Sequence, residues 1–136
     1  MTRPLTDRDY QALAGFRHAL RLFLRFSEQA ARTAGITPAQ HQLLLAVRGH
    51  AGDGPPSTSD VAEALQLRLH SAVELVGRAE SNGLLARHTD PEDHRRTLLA
   101  LTPDGDRCLA ALSTEHRREL TRFRSEMQAI LDALDE

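Results

Sequence analysis

The chain has no lysine, no tryptophan and a single cysteine, Cys108, among its 136 residues. One cysteine excludes an intrachain disulfide and any Cys-x-x-Cys metal or redox motif. Four phenylalanines and one tyrosine leave too few rings for an aromatic cage. No apolar run approaches the ~20 residues that cross a bilayer. The opening MTRPLTDRDY lacks the apolar stretch of a secretory signal, so a cytoplasmic location is expected. Also absent are His-Glu-x-x-His, a glycine-rich phosphate loop and Gly-x-Ser-x-Gly, the usual carriers of hydrolytic and nucleotide chemistry. No internal repeat and no low-complexity tract is found. The histidines, at 18, 41, 50, 70, 88, 94 and 116, never share i, i+4 spacing on one helix. A zinc site would have to gather His18, His41 and His116 from separate segments; they are expected to stay separate. Neither an enzyme, a cofactor nor a metal site is expected.

What is present is concentrated between residues 57 and 103. Ser57, Thr58 and Ser59 are candidate N-caps, with Asp60 and Glu63 placing negative charge in the first turn. Val61, Ala62 and Leu65 form an apolar face at helical spacing. Leu65-Gln66-Leu67 reads as a joint. A second amphipathic helix follows over about 68–82, with Leu69, Ala72, Val73, Val76 and Ala79 expected inward. Arg68, His70, Ser71, Glu74 and Arg78 remain on or near the other face. Asn82-Gly83 is a helix-ending pair. Two helices joined by a three- to four-residue turn form a helix-turn-helix, whose second helix reads base edges.

A hairpin comes next, over about 86–99. Leu84-Leu85-Ala86 leaves the helix as an apolar strand, Asp90-Pro91-Glu92-Asp93 turns, and Thr97-Leu98-Leu99-Ala100-Leu101 returns. Arg87, His88, His94, Arg95 and Arg96 flank the turn. A wing with arginines near its tip can straddle a phosphate backbone or enter the minor groove. All 17 basic residues of the chain are arginine, which suits bidentate contacts to guanine and phosphate.

This segment resembles the winged helix-turn-helix of the multiple-antibiotic-resistance repressor (MarR) family. The resemblance rests on Gly83-Leu84-Leu85, on Asp90-Pro91-Glu92-Asp93-His94-Arg95-Arg96, and on Leu101-Thr102-Pro103-Asp104-Gly105. Upstream, Ile36-Thr37-Pro38-Ala39-Gln40-His41 resembles the family's entry to its second helix. The likeness implies a dimeric repressor on a pseudo-palindromic operator in double-stranded DNA, released by a small aromatic or carboxylate effector. The expected DNA contacts are Ser57, Thr58, Ser59, Arg68, His70, Ser71, Glu74, Arg78, Arg87, His94, Arg95 and Arg96. Asp93 is expected to orient Arg95, as the matching aspartate does in the family. The effector crevice would lie between the dimer helices and the winged block, with His18, Arg21 and His41 meeting a carboxylate. Peroxide-sensing relatives carry a reactive cysteine near the N-terminus, where this chain has none. Cys108 reads as a small core residue.

The flanks read as a dimerisation scaffold, so the fold class is mainly α with a small β-hairpin. One domain is expected over 1–136, with dimerisation helices in 1–35 and 103–136 around a winged block in 36–102. Residues 7–33 form one long helix, capped near Thr6-Asp7 and closed by Gly35. Phe16, Leu20 and Phe23 line one side, Leu22 and Phe26 another, and Arg17, Arg21 and Arg25 make a basic stripe. After Thr102-Pro103, Leu109, Leu112, His116, Leu120, Phe123, Met127, Ile130 and Leu134 recur at steps of three and four. That heptad-like seam favours the same helix of a second copy. The loop 51–56, with two glycines and two prolines, separates the second and third helices.

The formal net charge of −2 weighs against a nucleic-acid binder. Within 68–97 five arginines meet Glu74, Glu80, Asp90, Glu92 and Asp93, a balance of zero. His70, His88 and His94 tip it only when protonated, so DNA affinity should rise toward acid pH. A winged-helix module that binds a protein partner instead of DNA is the competing expectation.

Overall fold

The computed structural model describes residues 3–134. Residues 1, 2, 135 and 136, at the outer ends of the two expected dimerisation segments, lie outside it. Five helices and one hairpin follow in order: α1 (Asp7–Thr33), α2 (Pro38–Arg48), α3 (Thr58–Ala64), α4 (Leu69–Ser81), β1 (Leu85–Thr89), β2 (Thr97–Leu101) and α5 (Pro103–Ala133). Among the described residues no helix is long and apolar enough to cross a membrane.

The helix starts are set locally. Thr6, Thr37 and Ser57 each cap through a reciprocal pair, with Asp9, Gln40 and Asp60 at the third helical position bonding back. At α1 the pair is reinforced by Arg3, whose guanidinium forks onto the buried Asp9 carboxylate at 2.5 and 2.6 Å. Those bonds hold the Asp9 carboxyl well below the usual range, with the Thr6 amide adding to the effect. Thr102 caps α5 and donates to the Gly83 carbonyl at 2.6 Å, tying the helix start to the chain entering the hairpin. Gly105 makes that approach possible: a Cβ there would overlap the Leu84 carbonyl.

The core gathers around α2. Leu43 and Leu44 are fully buried, with Val47 beside them. They pack with Val61 of α3, Leu75 and Val76 of α4, Leu84, Leu85, Leu99, and the roots of the long helices at Ala31, Leu109 and Leu112. β1 and β2 pair antiparallel from Leu85 against Leu101 to Thr89 against Thr97. A third stub joins them, since Ser57 bridges to Leu98 and the Leu99 amide donates to the Pro56 carbonyl. The loop before α3 thus anchors the wing, a contact that local patterning does not reveal.

Two expectations need correction. α4 is rotated from the expected face: Ala72, Leu75, Val76 and Ala79 are buried, whereas Leu69 and Val73 are exposed. The six apolar residues among the thirteen of this helix form a broad stripe, so periodicity alone leaves its inward centre undetermined; contact with α2 decides it. The seam of α5 also differs. Leu112 belongs to the core. His116 and Phe123 pack on Phe23 of α1, with ring centroids 6.1 and 5.2 Å away, and Ile130 lies over Gly15. α1 and α5 therefore run antiparallel, and most of the seam is closed by the chain itself. Leu120 is the seam member left exposed, and Met127 is half-buried.

Candidate nucleic-acid interface

α3 and α4 meet through a tight joint in which Gln66 adopts a positive φ of 56°. Its side-chain amide donates to the Glu63 carbonyl at 2.8 Å, and the Leu67 amide donates to Ala62 at 2.8 Å. This left-handed residue turns the chain so that α4 starts at Arg68 across the surface of the block. Arg68, His70, Glu74 and Arg78 are exposed along α4, with Ser71 half-buried. Among the described residues neither Arg68 nor Arg78 makes an ion pair, so both guanidinium groups remain available.

Ser57 and Thr58 are buried, and the Ser57 hydroxyl is occupied by the cap, accepting from the Asp60 amide at 3.1 Å. These two side chains are therefore corrected to structural roles. Ser59 beside them is exposed.

The wing loop is organised by two aspartates. Asp90 is buried, accepts from the Glu92 amide at 2.9 Å, and its own amide donates to the Arg96 carbonyl at 3.0 Å. Asp93 accepts from the Arg95 backbone amide and from Arg95 Nε, both at 3.1 Å. The Arg95 side chain and amide hold the Asp93 carboxyl below its ordinary pKa. Arg95 nevertheless projects at the tip, 91% exposed. Arg96 is committed differently: it bridges Asp60 of α3 at 3.6 Å and Asp90 at 3.5 Å. The Ser57 amide, donating at 2.9 Å, does most to hold the Asp60 carboxyl below its ordinary pKa, with Arg96 contributing least. Arg96 is thus a strut between wing and helix-turn-helix rather than a free phosphate ligand. Arg87 likewise pairs with Glu80 of α4 at 2.8 Å. His94 is exposed beside Arg95. The sequence marks Asp90 only as a turn residue; its burial and its hold on Arg96 depend on the closed loop.

The second site differs from the expected one. His18 and Arg21 are exposed on α1, five and two residues before Phe23, and do not line the crevice. The crevice is a groove of about 910 Å³ between α1, α2 and α5, lined by Phe23, Leu24, Ser27, His41, Leu45, His116, Leu120 and Leu131, with Arg117 and Arg124. His41, only 5% exposed, lies at its floor with its ring 4.8 Å from that of His116. His116 bonds Ser27 at 2.8 Å and the Leu112 carbonyl at 2.7 Å. Burial, followed by the neighbouring His116, pushes the His41 pKa down. Of the three histidines considered for zinc the fold unites two, and no metal-binding cluster of three occurs among the described residues. Cys108 is half-buried, with its thiol pKa raised by that burial.

Residues 34–96 match the sequence profile of the MarR family. A Thauera aromatica protein named as a putative transcriptional regulatory protein for the hcr operon is 32% identical over 97 residues, 71% of this chain and 57% of that protein. The transcriptional repressor MdtR of Bacillus subtilis is 32% identical over 72 residues, 53% of this chain and 44% of the repressor. The chain spans about half the length of these curated relatives. Among solved structures, AbsC, a MarR-family regulator of Streptomyces coelicolor, superposes with a TM-score of 0.73 at 24% identity, covering 90% of this chain and 82% of AbsC. The DNA complex of S. aureus MepR gives 0.67 at 25% identity, covering 88% of this chain and 92% of MepR.

Proposed function

We propose that the chain is a sequence-specific transcriptional regulator of the MarR family, whose sequence profile residues 34–96 match. It binds double-stranded DNA as a homodimer in the cytoplasm, with one winged block between dimerisation segments in 1–35 and 103–136. The observation that carries this reading is the common exposure of α4 and the Asp93-braced Arg95 on the winged block. α4 offers base-edge contacts through His70, Ser71, Glu74 and the unpaired arginines. Arg95 offers a phosphate or minor-groove contact, as the wing of such a fold allows. The DNA complex of the structural relative MepR supports this use of the fold.

Dimerisation is supported by the groove. Leu24, Leu45, Leu120 and Leu131 are about half exposed along it, a continuous apolar surface that the chain itself does not cover. A second copy packed there would place two recognition helices on inverted half-sites roughly 10 base pairs apart. Repression relieved by a small effector fits the same region. Its ionisable groups are His41, His116, Arg117 and Arg124 rather than His18 and Arg21, and they suit an acid with an apolar body.

A mobility-shift titration against DNA flanking the gene tests the reading. The expected result is a discrete complex of two protomers per site. Arg95→Ala should weaken specific and random duplexes alike, because a backbone contact carries no sequence information. No complex at micromolar protein and moderate salt would refute DNA regulation.

A further inference from the structure

We propose that Leu69 and Val73 form an apolar reading ridge that recognises thymine methyl groups in the major groove. The inference rests on the DNA-regulator reading above and deepens it. Leu69 is 55% exposed and Val73 45% exposed, one helical turn apart on α4. The core does not use them: Ala72, Leu75, Val76 and Ala79 hold the helix from its other side. Two branched apolar side chains in water on a helix so placed call for an occupant.

The surroundings say which. Arg68 precedes the ridge and Arg78 lies beyond it on the other flank of the exposed face, both exposed and neither in an ion pair among the described residues. Ten residues of helix separate them by ~15 Å, comparable with a major groove ~12 Å wide. That arrangement fits phosphates on either side and an uncharged, methyl-bearing floor between. Among base edges in the major groove, only thymine offers a methyl group. Leu69 and Val73 stand ~6 Å apart along the axis, close to two base steps of ~3.4 Å. The ridge also supplies discrimination without fixed charge, which suits a block whose formal charges over 68–97 cancel.

The test uses the 136-residue chain and duplexes it enriches from a random-sequence pool. Each thymidine of the preferred duplex is replaced singly by deoxyuridine, which removes the methyl group alone. Affinity should fall about fourfold at one or two thymines per half-site, the value of one buried methyl-sized group. Elsewhere it should not change. Val73→Ala should abolish the difference between thymine and uracil at one of those positions, and Leu69→Ala at another. Both residues are exposed, and circular dichroism verifies that the variants fold. A preferred sequence in which every thymine tolerates uracil overturns the methyl readout and leaves the regulator standing. So does a Val73→Ala variant that keeps full affinity and discrimination, which would assign the ridge to a protein partner. A pool that yields no preferred sequence overturns both readings.

Discussion

The winged block and the long-helix pair solve the burial problem differently. In the block, α2 is surrounded by α3, α4 and the hairpin, and Leu43 and Leu44 reach complete burial. Its exposed large apolar residues are Leu45 of α2, which lines the groove, and Leu67, Leu69 and Val73 on α4 and the joint before it. The pair of α1 and α5 is unevenly packed: Ala12, Ala19 and Ala31 are buried on α1, whereas α5 buries side chains fully only near its root. The buried residues of α5 are Gly105, Leu109 and Leu112, all within its first ten positions. Beyond Ser113 the helix continues for some twenty residues in which no side chain is fully buried. A helix of that length gains its stability from tertiary packing rather than from propensity. The block thus closes most of its core on itself, while the outer half of the pair carries the exposed apolar flank that the proposed second copy would cover.

Glutamates at Leu120 and Leu131 break the comparison most severely. Both leucines lie on the exposed flank of α5 and line the groove. Burying two carboxylates at a dimer contact costs several kcal/mol unless they are paired. Leu120→Glu with Leu131→Glu should therefore give a monomer by size-exclusion light scattering, with the winged block still folded. Losing the second half-site should cost about 100-fold or more in operator affinity. A double variant that remains dimeric would place the dimer contact elsewhere.

The same contrast explains what the sequence could convey. The caps at Thr6, Thr37, Ser57 and Thr102 and the Asp90–Asp93 turn depend on neighbours a few residues away and are legible in the pattern, whereas the pairing of Asp93 with Arg95 is expected from the family resemblance. The faces of α4 and α5 are not. Leu69, Val73, Leu75 and Val76 all suit burial; only the position of α2 selects Leu75 and Val76. On α5 the steps of three and four announce one covered face without saying which helix covers it. α1 covers it at His116, Phe123 and Ile130, so the exposed flank combines Leu120 of the heptad with Leu131, which the heptad does not include. Arg96 was indistinguishable from Arg95 in sequence. Asp60, thirty-six residues away, makes it a strut. The pairing of His41 with His116 is likewise a contact between distant segments.

That histidine pair sharpens the comparison at the junction of the two regions. Burial, and then the neighbouring His116, lower the folded pKa of His41 below the unfolded value of ~6.5. Between those two values the unfolded chain binds more protons than the folded one. Stability should accordingly rise with pH through that window and fall on acidification, by at most ~1.4 kcal/mol per pH unit for one group. His41→Gln, which keeps a polar side chain without the titration, should flatten this dependence. Urea unfolding at a series of pH values from 5 to 7 measures it, and an identical slope in the variant would show that another group governs the acid response.

Gly77→Ala makes the smallest change and separates the demands of fold and surface within α4. Gly77 lies in the interior of the helix, where glycine costs about 0.5–1 kcal/mol relative to alanine. A Cβ at this position meets no atom within 4 Å, so the fold has no steric need for glycine. Gly77 also continues the line of Leu69 and Val73 by one further turn. The substitution should raise unfolding stability by about 0.5–1 kcal/mol in denaturant titration. If the helix backbone approaches DNA closely there, the same methyl group lowers DNA affinity while stability increases, a divergence that a structural role alone would not produce. A destabilised Gly77→Ala would mean that the chain itself needs the missing side chain. A stabilised variant with unaltered affinity would confine the reading surface to the first two turns of α4.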